Sequence, residues 1–223
     1  CKNSKHIDLK CLSVHIGSQI LDHRPYENML KSVSQILNKA NHKFEFIDLG
    51  GGMGISYQEK NKKLNYKKYN KAIIKFLKKN KSKIIFEPGR SIIGDAGILV
   101  SKVIYIKESQ KKNFVILDAA MNDFMRPALY GAKHRIIPLI RKRQISKKTY
   151  EFVGPICETT DKFLTTNKFQ NLKEKDIIII CDVGAYGSSL SSNYNLRVKP
   201  SEILIKGSNI VVIKKRQKLK DLI

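Results

Sequence analysis

The sequence predicts an α/β half followed by a mostly antiparallel β half. Three observations carry that expectation. Within residues 1–95, short apolar runs alternate with stretches of helical periodicity, the rhythm of a parallel sheet or a piece of a (β/α) barrel. Within residues 96–223, runs of strand length follow one another with no long amphipathic helix between them. The chain has 223 residues and 42% hydrophobic content, enough apolar material for two modest domains divided near Gly94.

The elements follow in order. Leu12 to Ile16 reads as a strand ending at Gly17. Tyr26, Met29, Leu30, Val33, Ile36 and Leu37 recur at helical spacing, with Pro25 where a first helical turn accepts it. Phe44 to Leu49 is a second strand, closed by Gly50-Gly51-Gly52. Tyr66, Tyr69, Ile73, Phe76 and Leu77 mark a second helix whose lysines fall mostly off the apolar stripe. Lys83 to Phe86 is a third strand, closed by Glu87-Pro88-Gly89-Arg90. The second half offers strands at Leu99–Ile106, Phe114–Leu117, Tyr150–Val153, Asp176–Asp182, Glu202–Ile205 and Ile210–Ile213, with a basic loop over Ile140–Lys148.

Composition narrows the function classes. Lys and Arg number 43 against 19 Asp and Glu, a net charge of +24 that invites a nucleic-acid reading. Only 8 of the basic residues are Arg, whose planar fork suits phosphate and base recognition, and 35 are Lys. The lysines come with 30 Ile and 15 Asn, residue types that share A/T-rich codons, so compositional drift accounts for the excess better than a binding surface would, and neither a nucleic-acid nor a membrane partner is expected. A basic nucleic-acid-binding module stays as the alternative from another class. No apolar run approaches the roughly 18 residues of a membrane span. Cys1, Cys11, Cys157 and Cys181 form no C-x-x-C pair and no zinc spacing, so no metal site is expected. Nothing suggests secretion, which points to reduced thiols and the cytoplasm. The chain opens on Cys1 without a leader pattern, as a fragment or processed product would.

Ligands of α/β folds bind at the carboxyl ends of strands. Three such ends carry unusual residues: His15-Ile16-Gly17-Ser18-Gln19, Gly50-Gly51-Gly52-Met53-Gly54 and Glu87-Pro88-Gly89-Arg90. Glycine backbone can approach a phosphate closely, an Arg adds a bidentate partner, and a Glu can hold a protonated ring nitrogen. Each piece alone also reads as a tight turn, a structural histidine or a surface ion pair, and no G-x-G-x-x-G is present. Together they suit a phosphate-bearing cofactor with a basic heterocycle, and pyridoxal phosphate fits. In the second half, Cys157 beside Glu158 follows a Gly-Pro turn. It reads either as a small buried hydrophobe or as an exposed proton donor or nucleophile. Cys181, inside an Ile run, reads as core; Asp161 and Asp182 read as turn residues; Tyr186, between small neighbours, reads as exposed.

Six motifs in this order resemble the diaminopimelate decarboxylases, a family of fold-type III pyridoxal-phosphate enzymes. They are His-Ile-Gly-Ser-Gln from His15, Asp-Leu-Gly-Gly-Gly-Met-Gly-Ile from Asp48, Glu-Pro-Gly-Arg-Ser-Ile from Glu87, Met-Arg-Pro-Ala-Leu-Tyr from Met125, Gly-Pro-Ile-Cys-Glu-Thr-Thr-Asp from Gly154 and Asp-Val-Gly-Ala-Tyr-Gly from Asp182. The resemblance covers about Leu12 to Val212. It implies the C-terminal part of a (β/α)8 alanine-racemase-like barrel followed by a C-terminal β domain. It also implies decarboxylation of meso-2,6-diaminopimelate to L-lysine and CO2, the last step of lysine biosynthesis. By the same resemblance His15 stacks on the cofactor ring with Ser18 near it, and Gly51 and Gly52 hold the phosphate. Glu87 pairs with the pyridine nitrogen, with Pro88 and Gly89 beside it, and Arg90 lies between cofactor and substrate. Arg126, Tyr130 and Glu158 contact substrate, and Tyr186 touches both. Cys157 is the proton donor. Cys157 and Glu158 serve the neighbouring subunit of a homodimer.

The distal end of that substrate carries a carboxylate and an ammonium group, which an Arg and a Glu are suited to read. Ornithine-type relatives have Asp after the Cys, so Glu158 with Arg126 favours diaminopimelate. A decarboxylase of ornithine, arginine or carboxynorspermidine is the nearer alternative, and a non-catalytic binding relative a further one. The family's Schiff-base lysine belongs on an early barrel strand, and before His15 only Lys2, Lys5 and Lys10 occur, none in a matching context. The expectation is an N-terminally truncated enzyme, inactive alone, with an unpaired sheet edge.

Overall fold

The computed structural model describes residues 4–57 and 63–223, so Cys1 and Lys2 lie outside the described residues. The chain divides into two compact units, Cys1–Gly94 and Asp95–Ile223, and each is described by itself.

The first unit alternates β1 (Cys11–Ser13), α1 (Arg24–Ala40), β2 (Phe46–Asp48), α2 (Tyr66–Leu77), β3 (Lys83–Ile85) and the short α3 (Arg90–Ile93). Its strands form a parallel sheet in the order β1-β2-β3, with Leu12 opposite Ile47 and Ile47 opposite Ile84. Pro25 stands in the first turn of α1, and Asn41 in the left-handed region closes the helix. Asn65 caps α2, its side-chain oxygen accepting from Lys68 N–H at 3.0 Å. The apolar stripes of both helices meet the sheet: Tyr26, Met29, Leu30, Val33, Tyr69, Ile73 and Phe76 share one core with Ile47 and Leu49. The Tyr26 and Tyr69 rings stack with centroids 4.4 Å apart. Burial raises the pKa of both phenols, that of Tyr69 to about 12. The strands are shorter than the apolar runs that predict them, so His15 and Glu87 stand in loops beyond the sheet.

The second unit is built on a six-stranded mixed sheet. Its strands are β4 (Ile98–Lys107), β5 (Lys112–Leu117), β6 (Ile136–Pro138), β7 (Thr149–Val153), β8 (Lys162–Thr166) and β9 (Ile177–Cys181), in the order β6-β9-β4-β5-β7-β8. All neighbours pair antiparallel except β5 and β7, which run parallel. Val103, Val115, Leu117, Phe152, Phe163, Ile178 and Ile180 form the core. One helix, α4 (Arg126–Tyr130), follows β5. A separate hairpin, β10 (Glu202–Lys206) and β11 (Asn209–Lys214), turns at Gly207, whose φ of 61° only glycine adopts easily.

Sequence reading left two strands unassigned. β8 has apolar residues only at Phe163 and Leu164, and β6 is three residues long and contains Pro138. β6 lies at the edge of the sheet, where a residue without an N–H is tolerated. Ile140–Lys148 is irregular as expected, touching its surroundings through an Ile145–Gln170 bridge.

Candidate active site

Three loops at the carboxyl end of the first unit's sheet lie against one another. Glu87 N–H donates to Gly50 O at 2.9 Å, Ile20 N–H to Gly52 O at 2.9 Å, and Gly54 N–H to Ile20 O at 3.0 Å. The glycines permit this contact. A Cβ at Gly51 would stand 2.2 Å from Glu87 O, and one at Gly52 2.3 Å from Gly17 O. The glycine cluster therefore knits the strand ends together before it can serve any ligand. Gly50 N–H donates to Asp48 Oδ1 at 2.8 Å, and Gly51 N–H to His15 Nδ1 at 3.4 Å. The second bond uses the His15 Nδ1 lone pair and orients the ring, leaving Nε2 to carry the proton of the neutral form. At the rim, Gly89 has open space where a Cβ would stand, and Glu87 and Pro88 are exposed. Arg90 Nη2 donates to Ser18 Oγ at 3.1 Å and Nη1 to the Tyr57 hydroxyl, with the guanidinium carbon 5.7 Å from the Tyr57 ring centroid. Tyr57 was not singled out from sequence, because a lone Tyr after a glycine cluster carries no motif. The structure thus brings His15, Ser18, Gly51, Gly52, Glu87, Pro88, Gly89 and Arg90 to one rim. Its groups suit a phosphate-bearing basic ring: an exposed carboxylate that can accept from a ring N–H, an oriented imidazole, glycine backbone and a guanidinium.

In the second unit, Cys157 and Glu158 are exposed on the turn after β7. Asp161 builds that turn. Its carboxylate accepts from Ile156 N–H at 2.8 Å and from Met121 N–H at 2.7 Å, and Gly154 N–H donates to its carbonyl at 3.0 Å. Burial pushes the Asp161 carboxyl up in pKa, against the pull of those N–H bonds. Through Met121 the turn is fixed to the loop that leads into α4. There Arg126 is only 7% exposed, while Tyr130 at the other end of the helix is 64% exposed. Arg126 Nη1 lies 3.3 Å from His134 Nε2, and His134 Nδ1 lies 2.9 Å from Cys181 O. A carbonyl only accepts, so Nδ1 carries the proton and Nε2 receives the Arg126 N–H. His134 was missed from sequence; a lone His in a basic stretch gives no sign that it will be buried against an arginine.

Tyr186 is 46% exposed between the buried Ala185 and Gly187. Its φ of 61° is uncommon for an aromatic residue and marks local strain. Asp182 also has a φ of 61° and pairs with Arg135, both of its oxygens 3.4 Å from guanidinium nitrogens, so it acts as a turn residue. Cys181 is buried. Among the described residues no cluster of three or more His, Cys, Asp and Glu could hold a metal ion, and no helix is long and apolar enough to cross a membrane.

Comparison with known proteins places the chain in one family. The family described as pyridoxal-dependent decarboxylase, C-terminal sheet domain, matches residues 20–184. A diaminopimelate decarboxylase of Zymomonas mobilis is 41% identical over 222 residues, covering 97% of this chain and 52% of that protein. The crystal structure of diaminopimelate decarboxylase from Helicobacter pylori complexed with L-lysine superposes with a TM-score of 0.90 at 40% identity, over 99% of this chain and 55% of that one. The enzyme of the same name from M. jannaschi superposes with a TM-score of 0.92 at 34% identity, over 99% of this chain and 52% of that one. The chain spans about half the length of the curated relatives it matches.

Proposed function

Because the chain belongs to the pyridoxal-dependent decarboxylases, through their C-terminal sheet domain, we propose that it works as part of a diaminopimelate decarboxylase. In this reading the enzyme converts meso-2,6-diaminopimelate to L-lysine and CO2 in the cytoplasm, where a catalytic thiol stays reduced. The first unit, a parallel sheet with crossover helices, is read as part of a (β/α)8 barrel, and residues 96–223 as the C-terminal β domain. The observation that carries the reading is the exposed thiol and carboxylate of Cys157 and Glu158 on one turn fixed by Asp161.

Pyridoxal phosphate, when bound, supplies an electron sink joined to the substrate α-carbon, so that the bond to the carboxylate can break. Glu87 would pair with the ring nitrogen and hold a proton there, and the imidazole of His15 would pack on the ring. Backbone of Gly51, Gly52 and Gly89, beside Pro88, would hold the phosphate. Arg90, braced by Ser18 and Tyr57, would contact both cofactor and substrate. Arg126, Tyr130 and Tyr186 orient the substrate, and Glu158 receives its distal ammonium group. Cys157 returns a proton to the α-carbon after CO2 departs. Cys157 and Glu158 act in the site of the neighbouring subunit, which makes the enzyme a homodimer.

The test is CO2 release by the full-length protein, offered diaminopimelate, ornithine and arginine in turn. Turnover of diaminopimelate alone is expected. Glu158→Asp shortens the carboxylate by one methylene and lowers kcat/KM for diaminopimelate by roughly 10- to 100-fold. Unchanged turnover in that variant would sink the substrate assignment.

A further inference from the structure

The proposed substrate carboxylate, Glu158, does not stand alone. The Tyr194 hydroxyl donates to Glu158 Oε1 at 2.5 Å. Tyr194 belongs to none of the motifs that pointed to the site, and it lies 36 residues further along the chain. From this contact we infer that Tyr194 is a positioning residue, setting the orientation in which Glu158 meets the substrate ammonium. The inference rests on the substrate reading given above.

The hydroxyl arrives on a backbone that cannot drift. Ser192 and Asn122 bond in both directions, Ser192 N–H donating to Asn122 O at 2.9 Å and Asn122 Nδ2 to Ser192 O at 3.3 Å. Asn122 is fully buried. On the other side of Tyr194, Arg197 Nε donates to Asn122 Oδ1 at 3.0 Å and Nη2 to Asp118 O at 2.6 Å. Asn193 Nδ2 reaches Arg197 O at 2.9 Å and Gln217 Oε1 at 2.6 Å. Asn195 and Leu196 both take φ of 55°, a conformation that such surrounding bonds must impose on a leucine. The clamped loop 118–123 is also the one that Met121 ties to Asp161. Glu158 and Tyr194 are thus held to the same base by independent bonds.

This arrangement suits the task. A free Glu side chain on an exposed turn samples several rotamers, and fixing them on binding weakens affinity. A donor on Oε1 selects one orientation in advance and leaves Oε2 with its full acceptor capacity for an ammonium group. Tyrosine supplies that donor without a competing positive charge. The phenol responds in kind: its pKa is raised, first by the hydrogen bond to Glu158, then by the carboxylate charge, with burial and Cys157 adding.

The experiment uses the full-length protein as the parent, Tyr194→Phe, Glu158→Gln and the double variant. In an alkaline ultraviolet titration, Glu158→Gln should lower the pH at which one tyrosine ionises, and Tyr194→Phe should remove that same step. Identical titrations in the parent and Glu158→Gln overturn the contact whatever the activity. With diaminopimelate, Tyr194→Phe should raise KM roughly three- to tenfold, the net size of one ordinary hydrogen bond in water. Its kcat should hold within about twofold, because only binding geometry is lost. In the Glu158→Gln background the same change should have no further effect. A KM unchanged by Tyr194→Phe, or an equal effect in both backgrounds, overturns the positioning role. A parent that releases no CO2 from diaminopimelate overturns the substrate reading instead, and the titration still decides the contact.

Discussion

Gly154 and Asp161 meet at the base of the Cys157–Glu158 turn, where a Cβ on the glycine would stand 2.2 Å from Asp161 Oδ2. The carboxylate cannot step aside, since each of its oxygens is already committed to a backbone N–H. Gly154→Ala must therefore displace the turn or break those bonds. A loss of about 1–3 kcal/mol is expected from denaturant unfolding. Because the turn carries Cys157 and Glu158, kcat of the full-length protein should fall with it. The conservative placement of a turn glycine is thus a condition for the chemistry of the two residues that follow. Legibility at this scale was uneven. The six motifs exposed Glu87, Cys157 and Glu158, whereas Tyr57, His134 and Tyr194 stayed silent, because a single Tyr or His acquires its meaning from a partner distant in sequence.

At the scale of elements, the parallel pairing of β5 and β7 places Lys112 and Thr149 opposite each other and brings Lys112 Nζ to 2.5 Å from Glu151 Oε2. Lys162, on the far side of β7, lies 3.6 Å from the other oxygen. Burial pushes the Glu151 carboxyl up, but the Lys112 hydrogen bond and the two ammonium charges pull it further down, so its pKa ends below the ordinary 4.5. The sign of the linkage follows. The folded state gives up the proton more readily than the unfolded chain, so the stabilisation is present above pH 4.5 and is lost as pH falls through the lowered folded value. Glu151→Gln should flatten this acid limb in thermal melts recorded across pH, with a cost near neutrality of about 1 kcal/mol. The two long helices, α1 and α2, and the longer strands were legible from periodicity, whereas the short α3 and α4 were not. β6 and β8 were not, because their place in the sheet is set by pairing with β9 and β7 and not by their own apolar content.

For the whole molecule, charge and apolar surface act against each other. The net charge of +24 adds a long-range repulsion between copies of the chain. Yet on β10 and β11, Ile203, Leu204, Ile205, Ile210, Val211, Val212 and Ile213 are each more than half exposed, on both faces of the hairpin. Such a surface favours self-association once repulsion is screened. Light scattering from the 223-residue chain is expected to rise between ~0.05 M and ~0.5 M salt as the screening length shortens. Ile205 and Ile210 face each other across the hairpin. Exchanging them for Glu and Lys should suppress the rise while leaving the six-stranded sheet intact. Scattering that falls with salt would contradict this balance.

The sequence by itself determined the two long helices, the main strands and the family, because apolar periodicity and glycine-bearing motifs act locally along the chain. Only the tertiary structure decided which loops share a base, that the glycine cluster first joins strand ends, that Arg126 is buried against His134, and that Tyr194 holds Glu158. Those facts depend on distances between residues far apart in sequence. Such distances are fixed by sheet register and by the loop-anchoring bonds of Asn122, Asp161 and Arg197, which no local pattern encodes.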